Sequence, residues 1–80
     1  MKQSIRASAR IGKNIRKFRR AMDITQEQLA ARLQVKGCDL TRGMIAKIEI
    51  GTRHVSVEEL NAIKEILGMR YEDFFAQNEK

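Results

Sequence analysis

Arg42, Gly43, Ala46 and Lys47 fall within one short stretch, and their types suit contact with a nucleic acid better than they suit catalysis. An arginine at Arg42 can donate two hydrogen bonds to the O6 and N7 atoms of guanine. Gly43 and Ala46 carry almost no side chain, so a helix bearing them can come close to base edges. The Ala46 methyl can meet a thymine methyl. Lys47 can reach a base or a phosphate, and Arg53 and His54 follow in a loop where they would flank a backbone. Gln26 opens an earlier helix, whose free N–H groups and partial positive charge can hold a phosphate.

Catalysis has less to stand on. The chain holds one histidine, His54, and one cysteine, Cys38. Neither has a second ligand at metal spacing, and no third group is indicated to orient a Cys–His nucleophile. Cys38 reads as a small turn filler and His54 as a solvated loop residue. Gly37, Gly43, Gly51 and Gly68 lack phosphate-loop spacing and mostly mark helix ends. The expectation is a protein that is not an enzyme and uses no cofactor and no metal.

The elements that must carry these residues follow from periodicity and caps. Ile11, Ile15, Phe18 and Met22 recur at helical spacing and predict a helix over residues 9–22 with one apolar stripe and a basic opposite face. Residues 1–8 have no sustained pattern and are expected to form a flexible basic arm. Thr25 to Gln28 reads as a capping box, with Ile24 and Leu29 as its hydrophobic staple. Leu29, Ala30 and Leu33 line this second helix, which Gly37 can stop in a left-handed conformation. Thr41 is the next N-cap, with Asp39 as competitor. With Ile45 facing inward, Gly43, Ala46, Lys47 and Ile50 point out, and Gly51 closes the third helix. Ser56 to Glu59 is a second capping box. Leu60, Ile63 and Leu67 line a fourth helix ending at Gly68, and Tyr71, Phe74 and Phe75 suggest a short fifth. The predicted fold is all-α, a single five-helix domain over residues 9–77.

Charge is uneven along the chain. The net charge is +6 over 80 residues, yet the first 22 residues hold eight Lys or Arg and no acid, while the last third is acidic. A basic end suits approach to a polyanion. A lone cysteine fits a reducing compartment, the first twenty residues are too charged for a signal peptide, and no apolar run reaches membrane-spanning length. A soluble cytoplasmic protein is expected.

Glu49 falls on the flank of the inward face of its helix, and Arg19 flanks the apolar stripe of the first helix in the same way. A carboxylate edging into a core needs a partner. The two are therefore expected to pair and lock the third helix against the first.

These residues resemble the Cro and phage-repressor family of helix-turn-helix proteins, often called the Xre type. The resemblance covers about residues 10–75. It rests on Ile11-Gly12-Lys13-Asn14-Ile15-Arg16-Lys17-Phe18-Arg19, Thr25-Gln26-Glu27-Gln28-Leu29-Ala30 and Ile45-Ala46-Lys47-Ile48-Glu49-Ile50-Gly51. It implies a compact repressor-like DNA-binding domain, commonly dimeric, that regulates transcription. Gln26 matches the family's phosphate- or base-contacting glutamine; Thr41, Arg42, Gly43, Ala46 and Lys47 match its recognition surface. Arg19 and Glu49 match its structural ion pair. One departure stands out: the span from Leu33 to Ile45 is longer than the family's, so residues 35–40 form a lengthened turn. Leu40 is expected to plug the core there, and Lys36 could gain a phosphate contact.

The leading expectation is a sequence-specific, double-stranded DNA-binding regulator, a repressor, working as a homodimer with Tyr71, Phe74 and Phe75 as candidate contacts and core capping as the other reading of Phe74. Its alternative is an antitoxin- or adaptor-like module with a protein partner and secondary DNA binding. A third option, membrane association through the basic first helix, needs Ile11, Ile15 and Phe18 to be free of the core.

Overall fold

The computed structural model describes the backbone of residues 2–77 and the side chains of residues 9–77. Its five helices are α1 (Lys2–Ala21), α2 (Gln26–Val35), α3 (Arg42–Glu49), α4 (Val57–Leu67) and α5 (Tyr71–Phe74). The described residues contain no strand.

α2, α3 and α4 start on local caps. The Thr25 hydroxyl accepts from the Gln28 N–H at 3.0 Å, while Gln28 Oε1 accepts from the Thr25 N–H at 2.8 Å. Ser56 and Glu59 make the same reciprocal pair at the head of α4, and Thr41 caps α3 by accepting from the Met44 N–H at 3.2 Å. Such a cap contributes about 0.5–2 kcal/mol. At the tail of α2, Gly37 takes φ +83°, and the Gly37 and Cys38 N–H groups return to the Gln34 and Leu33 carbonyls. That is the left-handed stop expected of this glycine.

Two differences from the sequence reading concern α1. The helix begins at Lys2, so its backbone takes in most of the segment expected as an arm; no Gly or Pro interrupts residues 2–11. It ends at Ala21, and Met22, expected on the apolar stripe, is 42% exposed. The chain turns away before Met22 completes the stripe, and Asp23 adopts φ +62° in that turn.

The core gathers Ile15, Leu29, Leu33, Leu40, Ile45, Ile48, Ile63, Leu67, Met69 and Phe74. Ile11 and Phe18 pack against it, which uses up the face that membrane association would need. α1 lies across α3, α4 and α5, while α2 packs on α3 and α4. The turn between α2 and α3 does not stand off the surface. Leu40 at its end is buried, and Lys36 near its start pairs with Glu65 on α4 at 2.6 Å.

Candidate nucleic-acid interface

α3 has two unlike sides. Ile45, Ile48 and Glu49 are buried, whereas Thr41, Arg42, Gly43, Met44 and Lys47 are exposed and Ala46 is half-buried. A Cβ placed on Gly43 would meet nothing nearer than Thr41 Oγ1 at 3.9 Å, so the space outside this turn is open. Arg42 shares a surface cleft of 680 Å³ with Arg20, Asp23, Thr25, Gln26 and Glu27. The cleft joins the end of α1, the head of α2 and the head of α3. Its rim combines the head of α2 and the Arg20 and Arg42 guanidinium groups with the Asp23 and Glu27 carboxylates.

Behind this surface, Arg19 and Glu49 meet as a two-pronged pair, Nε to Oε2 at 2.7 Å and NH2 to Oε1 at 3.0 Å. The Arg19 and Glu49 side chains are only 11% and 2% exposed, and NH1 of Arg19 donates to the Ile24 carbonyl at 2.8 Å. Gln26 joins them, since its Nε2 donates to Glu49 Oε1 at 3.0 Å. An ionised carboxylate only accepts, so this contact fixes which way round the amide sits. One N–H of the residue expected to face DNA is thus turned inward, and the ends of α1 and α3 and the head of α2 share one network.

Other expected contacts lie elsewhere. Arg53 is folded onto Glu59, NH1 to Oε1 at 3.1 Å and NH2 to Oε2 at 3.3 Å, with NH1 also donating to the His54 carbonyl. Its charge is matched within the chain before any phosphate approaches. Lys36 is likewise engaged, by Glu65, rather than extended toward a phosphate. Among the aromatic candidates for a dimer contact, Phe74 is fully buried in the core and has no surface to give, which is its core-capping alternative. Phe75 and Tyr71 are about half exposed. Tyr71 donates its hydroxyl to Asn61 Oδ1 and lies under the Lys64 ammonium, 5.0 Å from ring centroid to Nζ.

Asn14 was not singled out from sequence. It is buried, and its Nδ2 donates to the Phe74 and Ala76 carbonyls at 2.8 and 2.9 Å, tying the end of α5 to α1. The available signal was a short amide three residues after Ile11, on the flank of the apolar stripe.

Cys38 is partly buried, and that burial, with the charges of Glu59 and Asp39, pushes its thiol above the ordinary value. An activated nucleophile needs the opposite shift. The described residues contain no group of three or more His, Cys, Asp or Glu side chains placed to hold a metal ion. No described helix is long and apolar enough to cross a membrane.

No curated protein and no solved structure matches the chain. A helix-turn-helix family profile does, over residues 15–74, which takes in all of α2 to α5 and the last third of α1. With most of its length so matched, the chain belongs to the Cro and phage-repressor, or Xre-type, helix-turn-helix family of DNA-binding regulators.

Proposed function

We propose that the protein is a sequence-specific transcriptional repressor that reads the major groove of double-stranded DNA with α3. The observation that supports this is the open side of α3, where Thr41, Arg42, Gly43 and Lys47 are exposed on a helix whose other side is buried. Arg42 at the N-terminal turn would lead into the groove and read guanine, Gly43 and Ala46 would permit close approach, and Lys47 would take a base or phosphate. Arg20 and the head of α2 would hold the adjacent phosphate. Gln26 would contribute through its carbonyl and its remaining N–H. Repression is the simplest consequence, because a protein seated on a duplex excludes others from that site.

A single recognition helix buries too little surface for tight and selective binding. Two copies related by a two-fold axis would read half-sites about 34 Å apart, and Tyr71 and Phe75 supply the exposed aromatic surface for that contact. Selection from random duplexes at low salt, followed by sizing of the complex, tests both parts. A symmetric motif bound by two chains is expected. Failure to enrich any duplex, with stoichiometric capture of a protein partner instead, would replace this reading with the antitoxin or adaptor one.

A further inference from the structure

α1 and α3 approach backbone to backbone at one point. A Cβ on Gly12 would stand 1.9 Å from the Ile48 carbonyl oxygen and 2.9 Å from Glu49 Cα. These are backbone atoms of α3, so nothing flexible can move aside. Just beyond, Gly51 holds φ +85°, and a Cβ there would lie 2.9 Å from Ala9 Cα. The same end of α3 carries Glu49, gripped by Arg19 of α1. The tail of the helix is therefore fastened to α1 by two close approaches and a buried ion pair.

The turn from α2 holds α3 differently. Leu40 enters the core, and Lys36 makes only a solvent-exposed pair with Glu65 on α4. Gly37 has nothing within 4 Å of a Cβ position, and Asp39 is exposed. We infer that α1, through its close approach at Gly12, sets the pose of the recognition helix, and that the length of the α2–α3 turn does not. Gly12 is then a positioning residue for DNA reading. The inference rests on α3 being the helix that enters the groove.

The test compares three full-length chains in duplex selection: wild type, Gly12→Ala, and a variant with one glycine inserted between Cys38 and Asp39. Circular dichroism reports folding, and binding is measured on the wild-type motif and on an unrelated duplex. The insertion should select the same motif with little change in preference. Gly12→Ala should lose about tenfold or more in the ratio of specific to non-specific affinity, the scale of one lost base contact, while its non-specific binding keeps the same salt dependence. A folded Gly12→Ala with wild-type preference would overturn the inference, and so would an insertion that changes the bases selected. If Gly12→Ala does not fold, the insertion decides alone, an unchanged motif supporting the inference and a changed one refuting it. A wild-type chain that enriches no duplex removes the DNA reading itself, and the inference with it.

Discussion

Arg53 and Glu59 face each other fork to fork across the loop between α3 and α4, at 3.1 and 3.3 Å. The same carboxylate accepts from the Ser56 N–H at 3.0 Å, so one side chain both caps α4 and pins the loop that leaves α3. The hydrogen bond from Arg53 outweighs burial and holds Glu59 below the usual carboxylate range. A carboxyl depressed in the folded state contributes stability above its unfolded pKa and loses it as pH falls through the folded one. Denaturant unfolding followed downward from neutral pH should show Glu59→Gln less stable than wild type at neutrality. The difference should shrink in acid. Glu65 and Asp73 are also depressed but remain in both proteins, so the difference isolates Glu59.

The buried pair behind α3 makes a second prediction. Removing either Arg19 or Glu49 alone strands the other charge and should cost about 3–5 kcal/mol. Arg19→Ala with Glu49→Ala should cost much less than the two losses combined. Additive losses in equilibrium unfolding would mean that the two side chains are energetically independent despite their 2.7 Å contact.

On the outer side of α3, the two cations should separate by role. Arg42→Ala should cost about 1–3 kcal/mol on the selected motif and relax preference at one position in each half-site. Lys47→Ala, if its partner is a phosphate, should weaken all duplexes alike and reduce the salt slope by about one ion. Titrations on matched and mismatched duplexes at several salt concentrations would measure both.

Adjacent phenylalanines should diverge. Phe74 is fully buried, and Phe74→Ala should cost about 3–5 kcal/mol of stability whatever the oligomeric state. Phe75 is half exposed. Phe75→Ser should leave monomer stability within about 0.5 kcal/mol yet lower the dimer fraction in sedimentation. An unchanged dimer would remove Phe75 from the contact.

Asn14 carries a fifth. Asn14→Ala withdraws the donor from the Phe74 and Ala76 carbonyls, at about 1–3 kcal/mol. Amide exchange should quicken first in α5 and its attachment to α1, and an unaffected α5 would show that the helix is held by Phe74 alone.

Much of this domain is local and so was written in the sequence. Thr25 with Gln28, Ser56 with Glu59, and Thr41 reveal helix starts because a cap and its N–H partner lie within three residues of one another. Periodicity placed Ile15, Leu29, Leu33, Ile45 and Ile63 inside, and the flank positions of Arg19 and Glu49 pointed each at the other. What the sequence could not carry was any choice between neighbours of equal chemistry. Core capping was one of two readings of Phe74, and the direction in which α5 meets α1 chooses it while leaving Phe75 half exposed. Arg53 and Lys36 look like free cations in a list of residues; Glu59 and Glu65 claim them because the loops bend toward α4. Gly12 shows no purpose until α3 crosses it. Caps and stripes depend on residues a few positions apart, whereas these assignments depend on which surfaces meet across the domain, and that is decided only when all five helices bury their apolar sides together.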